Sequence, residues 1–142
     1  MNTITNSWEV CMRSVTRAVA VAGAIALVAA VGAATVSAQC EWKAPADAKN
    51  VKNPENTSEL GKKSVETNCG SCHGPAGKGD GPAAAALSPK PANWTSDKLK
   101  KETDGELFWK ISNGRGPMPP WKHLPEKERW QIVNYIRQLQ KK

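Results

Sequence analysis

The stretch Cys69-Gly70-Ser71-Cys72-His73 decides the fold of this chain. Two cysteines stand three positions apart, and a histidine directly follows the second one. The residues before the motif, 57–69, favour a short helix, and Leu60, Ser64 and Val65 would share one face of it. The motif is therefore expected at the end of a helix.

The C-x-x-C-H spacing is typical of covalent haem attachment. Two thiols at this spacing reach adjacent edges of the porphyrin, and His73 then projects under the iron. The alternatives are a disulfide, a zinc half-site and a thioredoxin-type redox pair, which needs a βαβ setting absent from this sequence. Zinc requires four ligands, and outside the motif only Cys40 and His123 are obvious nitrogen or sulfur candidates. We therefore predict one haem c bound through Cys69 and Cys72, with His73 on the iron.

The N-terminus has the layout of a secretory signal peptide. Residues 18–34 contain no charged side chain, two arginines precede them, and Val36-Ser37-Ala38 follows as a cleavage-like triplet. We predict that residues 1–38 are removed by a cut after Ala38 and that the protein is exported, to the periplasm in a bacterium. The alternatives are a retained membrane anchor and lipidation of Cys40, and either would bring membrane association.

The remaining sequence divides into two parts. Residues 39–56 contain two prolines and many polar residues without a sustained apolar period, so we predict a flexible, extended N-terminal arm. Residues 57–142 form the predicted domain. Between Gly74 and Asn93, glycine and proline recur, which predicts a loop with at most one helical turn.

Two further helices have clear start signals. Thr103-Asp104-Gly105-Glu106 fits a capping box, and Asn113-Gly114 would end that helix. Pro125-Glu126 is a favourable first-turn pair for the last helix. Apolar residues recur along one face of this last helix, namely Trp130, Val133, Ile136 and Leu139, with Ile132 and Tyr135 flanking.

No segment of the domain alternates as a strand does, so the predicted fold class is all-α. Three short helices joined by long loops supply too little apolar volume for a stable core. A haem would supply the missing volume, and this deficit supports a cofactor independently of the cysteine motif.

Met118 is the only methionine outside the leader, and it is the predicted second iron ligand. It stands in Gly114-Arg115-Gly116-Pro117-Met118-Pro119-Pro120-Trp121, a stiff loop without the helical period expected of a core methionine. Such a loop can hold a thioether at a fixed distance from iron. The rival ligand is His123, which would give an iron held by two histidines.

With CGSCH, GPMPPW and WQIVNYIRQL in this order, the chain from about Thr57 to Leu139 resembles the class I c-type cytochromes of bacteria. The resemblance implies the cytochrome c fold, three to four short helices and loops wrapped round one covalently attached haem c. It also implies that Gly61 is the small residue at which the first helix crosses the last, with Tyr135 as its aromatic packing partner.

The same resemblance implies roles for residues near the haem. Pro75 would offer its carbonyl to the second ring nitrogen of His73 and so fix the orientation of the ring. Three side chains are candidate hydrogen-bond donors to the haem propionates: Arg115, Trp94 and Trp121.

An iron held by His73 and Met118 has no open position for a substrate, so we expect single-electron transfer rather than catalysis. Removing the leader lowers the formal net charge from +7 to +6, which suits redox partner proteins with acidic docking surfaces. Export argues against nucleic acid as a partner. Two alternatives are an electron-entry haem subunit of a dehydrogenase or respiratory complex, and a haem enzyme or sensor in which Met118 is displaced.

Overall fold

The computed structural model describes residues 41–142, so the predicted leader and Cys40 lie outside the described residues. The compact unit that holds the predicted domain spans Lys43–Lys142. Within residues 41–142, no helix combines the length and the apolarity needed to cross a bilayer.

Short helical elements make up the regular structure of this unit. They follow one another as a 3-10 turn at Ala46–Asn50, α1 at Glu59–Ser64, a π-helical turn at Val65–Cys69, α2 at Gly70–His73, a 3-10 turn at Ala84–Ala86, α3 at Asp97–Lys100, α4 at Asp104–Asn113 and α5 at Glu126–Gln140. The described part of the chain contains no strand, only an isolated bridge between Arg115 and Met118. The all-α prediction is confirmed.

The start and stop signals of α4 act as the sequence predicts. Thr103 N donates to Glu106 Oε2 at 2.8 Å, and Glu106 N donates to Thr103 Oγ1 at 3.3 Å, which is a complete capping box. Gly114 follows the last helical residue with a φ of 62°. The sequence pattern does not predict the short helix α3. Ser96 nevertheless caps it, because its side chain accepts a hydrogen bond from Leu99 N.

Helix α5 begins directly after Pro125 and buries the face that its periodicity predicts. Along this face, the residues that are at most 7% exposed are Trp130, Val133, Ile136 and Leu139. Ile132 is equally buried, at 2% exposure, because α1 crosses α5 at this point. The buried face of α5 joins Val65, Leu107 and Ile111 in the apolar core.

Helices α1 and α5 touch through their backbones at Gly61. A Cβ built on Gly61 would overlap the carbonyl group of Gln131 and would lie 2.5 Å from Ile132 N. The crossing that the family resemblance implies at Gly61 is therefore confirmed. The backbone against Gly61 belongs to Gln131 and Ile132, while Tyr135 packs against the apolar core.

The predicted face of α1 is wrong by one position. Ser64 and Val65 are buried, but Leu60 is 48% exposed. Because Gly61 approaches α5, the contact face contains Gly61, Ser64 and Val65, which have the i, i+3, i+4 spacing of one helix side. Leu60 precedes this face by one residue, which turns its side chain about 100° away.

Residues 43–56 of the predicted arm, together with Thr57, lie against the helices of the domain, and we call residues 43–57 the N-terminal strap. The strap contains the 3-10 turn Ala46–Asn50, and Ala48 within it is buried. Gly105 of α4 lies directly against this turn, since a Cβ there would overlap the carbonyl oxygen of Ala48. The sequence shows no apolar period here because the strap is held mainly by polar contacts.

Side-chain amides of α5 hold the second half of the strap. Asn134 Nδ2 donates to the carbonyl oxygens of Glu55 and Thr57 at 2.9 and 2.8 Å. Asn53 Nδ2 donates to Asn134 Oδ1 at 2.9 Å, and Gln131 Nε2 donates to Glu55 Oε2 at 3.2 Å. The strap is thus part of the folded unit.

Replacing Gly61 with alanine should destabilise the protein by about 3 kcal/mol, because the two helices would have to separate to admit the methyl group. Urea unfolding of the haem-loaded protein measures this. Gly70→Ala is the matched control, since a Cβ on Gly70 meets Val65 O at an ordinary 3.6 Å. That control should change stability by less than about 1 kcal/mol, and equal losses in the two variants would contradict the close crossing.

Replacing Asn134 with alanine should release the strap, because both strap carbonyls lose their donor and Asn53 loses its acceptor. We expect a loss of about 1–3 kcal/mol of stability and faster amide exchange in residues 43–57. The control is Asn56→Ala, which removes an exposed asparagine of the strap. Exchange that stays slow in Asn134→Ala would show that these hydrogen bonds do not anchor the strap.

Candidate haem site

The cysteine motif lies at the end of an unbroken helical run from Glu59 to His73. The π-helical turn Val65–Cys69 widens this run just before the motif, and such turns are frequent at functional sites. Cys69 and Cys72 are half-buried, and His73 is 8% exposed. The helix therefore places two half-buried thiols beside a buried imidazole.

The structure argues against the other uses of this motif. No disulfide joins Cys69 and Cys72. Burial, with a smaller effect of Cys72, raises the pKa of Cys69 to about 11, whereas the attacking cysteine of a thioredoxin-type pair has a lowered pKa. Among residues 41–142, no three His, Cys, Asp or Glu side chains cluster as a metal site would require.

His73 is held so that one ring nitrogen stays available to a metal. Nδ1 lies 3.1 Å from the carbonyl oxygen of Ala92, and because a carbonyl only accepts, Nδ1 must donate. Burial lowers the pKa of His73, and the hydrogen bond to Ala92 opposes this effect. The ring is therefore neutral near pH 7, with the lone pair on Nε2.

The role implied for Pro75 belongs instead to Ala92, which is a correction to the prediction. Pro75 is exposed, in a loop that turns back on itself as Gly77 N donates to Gly74 O. The carbonyl oxygen that faces the imidazole comes from the segment 91–94, which is tied to this loop because Trp94 N donates to Gly77 O at 2.7 Å. Ala92 lies 19 positions from His73 in the sequence, and no local sequence pattern predicts a hydrogen bond over that distance.

Trp94, a predicted propionate donor, lies against the imidazole. Its ring stacks on His73 with 4.4 Å between the ring centroids and an interplanar angle of 23°. Trp94 is 6% exposed and belongs to the apolar core. The family resemblance implies a place for Trp94 near the haem, but it does not predict this stacked contact.

The loop around Met118 has a fixed backbone. Arg115 N donates to Met118 O at 2.8 Å, and Met118 N donates to Arg115 O at 3.0 Å. After the loop, Trp121 N donates to Ile111 O at 3.1 Å and so ties the chain to the end of α4. The half-buried side chain of Met118 packs against the apolar core.

The other predicted residues lie around this loop. Arg115 is half-buried beside Met118, and Trp121 is half-buried against the apolar core. His123, the rival ligand, is exposed, and its ring lies 5.3 Å from that of Trp121. The structure thus packs Met118 against the core and leaves His123 at the surface.

These residues fit a covalently bound haem c. Two thiols and an imidazole come from the helical run that ends at His73, and a thioether comes from the loop before α5. Trp94 belongs to the apolar core, and Cys69 and Met118 both pack against it, so the two segments border the same core. Neutral imidazole and thioether are the axial donors found in c-type cytochromes.

Comparison with known protein families supports this interpretation. The model of the family described as cytochrome c matches residues 58–140, which is more than half of the chain. The chain belongs to the cytochrome c family. It therefore carries covalently bound haem c with iron, and it is a c-type haem electron-transfer protein. The predictions of family, fold and cofactor are confirmed.

A solved structure from Kuenenia stuttgartiensis, the reducing HAO-like protein complex Kustc0457/Kustc0458, is similar to this cytochrome. The sequences are 29% identical, the TM-score is 0.54, and the match covers 63% of this chain. It covers 45% of the other chain, so this cytochrome spans less than half of that protein's length. No curated protein sequence matches the chain.

Two glycines of the Met118 loop test how far its geometry is constrained. Both have positive φ, 62° at Gly114 and 55° at Gly116. A Cβ on Gly114 would also overlap Met118 O, whereas a Cβ on Gly116 would have no atom within 4 Å. Gly116→Ala should therefore cost only the backbone strain, about 1–2 kcal/mol.

Gly114→Ala should cost more than Gly116→Ala and should displace Met118. Denaturant unfolding gives the two stabilities. The oxidised optical spectrum shows whether the weak sulfur-to-iron band of a methionine-ligated haem is lost selectively in Gly114→Ala. Identical behaviour of the two variants would mean that the close packing at Gly114 does not position Met118.

Proposed function

We propose that this cytochrome is an exported carrier of single electrons whose iron is held between His73 and Met118. The observation that supports this most is the arrangement of His73, whose Nδ1 is occupied by Ala92 while Nε2 is left for a metal. Met118 packs against the same apolar core as Cys69. It is the only methionine among residues 41–142, so it is the only side chain there that can offer a thioether to iron. Cys69 and Cys72 would hold the haem through thioether bonds.

Bound haem c supplies an iron that gains and loses one electron. His73 and Met118 would occupy both axial positions, which leaves none for a substrate and favours a carrier over an enzyme. Methionine as a ligand favours the reduced iron relative to a second histidine. The protein's part is thus to keep both ligands in place and to exclude water from them.

Both ligands are held by backbone hydrogen bonds rather than by flexible side chains. Ala92 O accepts a hydrogen bond from His73 Nδ1, and the paired bonds between Arg115 and Met118 fix the backbone of the thioether loop. A ligand set held in this way changes little when the iron changes its charge. Small structural change on reduction is what a fast electron carrier needs, and it supports the proposed function.

The basic composition supports acidic partner surfaces. The formal net charge is +7, and exposed lysines include Lys78 and Lys122, which follow the cysteine motif and the Met118 loop respectively. Opposite charge on a partner would speed their encounter in a salt-dependent way. Transient docking of this kind buries a small area and suits repeated exchange of electrons.

The predicted leader supports export, with a cut after Ala38. Edman sequencing of the protein from the periplasmic fraction tests this. A first residue of Gln39 is the expected result. A chain that begins at Met1 and stays with the membrane fraction would instead support the retained anchor.

A second candidate function is a haem subunit that passes electrons within a complex. The similar chain from Kuenenia stuttgartiensis belongs to a protein complex, and that observation favours this candidate. Size-exclusion chromatography of a native extract distinguishes the two. A free carrier elutes at the size of the mature chain, and a subunit elutes with its partners.

Met118→Ala should abolish the weak sulfur-to-iron band of the oxidised protein and lower its reduction potential, because the thioether that favours ferrous iron is gone. His123→Ala is the matched control and should leave both unchanged, since His123 is exposed. Optical spectra and a redox titration of the haem-loaded variants measure this. A parent that lacks this band, and whose spectrum is unchanged in Met118→Ala but altered in His123→Ala, would overturn the proposed ligand set.

A further inference from the structure

We infer that Trp94 is the positioning residue for the iron ligand His73, fixing the plane of the imidazole and keeping water from its hydrogen bond to Ala92. This inference rests on the proposed ligation of iron by His73. Trp94 would act through His73 and need not touch the haem.

A single hydrogen bond does not fix a ring. The bond from Nδ1 to Ala92 O sets where one atom of the imidazole lies, but the ring can still tilt about that bond. The indole of Trp94 lies face to face with the imidazole, at 4.4 Å and 23°. A flat surface at that distance blocks the tilt, so the two contacts together define the ring plane.

Trp94 is itself held from two sides. Its backbone N donates to Gly77 O at 2.7 Å, and Gln140 Nε2 in the last turn of α5 donates to Trp94 O at 2.8 Å. A Cβ on Gly77 would overlap the indole ring and lie 3.3 Å from Leu139 Cδ1. The missing side chain at Gly77 therefore makes the space that the indole fills.

The indole also covers one face of the ring that donates to Ala92, in a hydrogen bond that is only partly buried. His73 and Trp94 are 8% and 6% exposed, but Ala92 is an exposed residue. The acceptor end of the bond thus lies next to the surface, and the large neighbour that stacks on the donor ring is Trp94. Removing the indole would let water compete for Nδ1.

The test uses Trp94→Leu and Trp94→Phe in the haem-loaded protein. In the oxidised protein, NMR gives the hyperfine shifts of the haem methyl groups, which report the plane of the axial imidazole, and the exchange rate of the His73 Nδ1 proton. Trp94→Leu should alter the methyl pattern and speed proton exchange by about tenfold or more. Trp94→Phe keeps a flat ring and should restore most of both signals.

Trp130→Leu is the matched control for loss of a buried indole. Trp130 is 2% exposed and stacks on Phe108, with 3.9 Å between centroids. The Trp130→Leu variant should be less stable than the parent, but its haem methyl pattern and the exchange rate of its His73 Nδ1 proton should be unchanged. Equal changes in Trp130→Leu and Trp94→Leu would overturn the inference, because general loosening would then explain them.

Gln140→Leu provides a second variant if Trp94→Leu does not accumulate. It removes the bond to Trp94 O and leaves the indole in place, so it should change both signals in the same direction but less. Unchanged signals in Gln140→Leu, beside a parent with normal His/Met spectra, would overturn this inference alone. A parent without those spectra would overturn the proposed ligand set instead.

Discussion

The backbone contact between Gly61 and Gln131 is the constraint on which the rest of this cytochrome depends. It brings the helical run that carries the cysteine motif directly onto α5, with no side chain between them. Helix α5 then holds the other parts of the unit, the strap through Asn134 and the segment beside His73 through Gln140. A single glycine thus lets one helix organise both the haem-binding motif and its surroundings.

The haem site is assembled from segments that are far apart in the sequence. In the proposed ligand set, the motif at 69–73 supplies the thiols and the imidazole, residues 92–94 contact that imidazole, and the loop at 114–121 supplies the thioether. Each segment meets the apolar core that α5 dominates. Rigid ligands around a cofactor that changes only its charge are suited to electron transfer, and that is the function that best unites these features.

What the sequence could predict was set by local signals. The capping box at Thr103, the start of α5 after Pro125 and the cysteine motif each depend on residues within one helical turn, and the structure confirms them. Contacts over long sequence distances carry no such signal. The bond from His73 to Ala92 spans 19 positions, and the polar bonds of the strap span more than 70. The predicted face of α1 includes Leu60 because Leu60 is apolar. The close approach of α1 to α5 instead requires Gly61, and it leaves Leu60 exposed.

The cytochrome binds one haem c covalently, and Cys69 and Cys72 are the cysteines positioned to hold it. Mass spectrometry of the haem-loaded protein, denatured and treated with a thiol-alkylating reagent, tests this attachment. We expect a chain that retains the mass of one haem, with peptides in which Cys69 and Cys72 carry haem and resist alkylation. A haem-free chain alkylated at both cysteines, from a host that attaches haem to other c-type cytochromes, would contradict it.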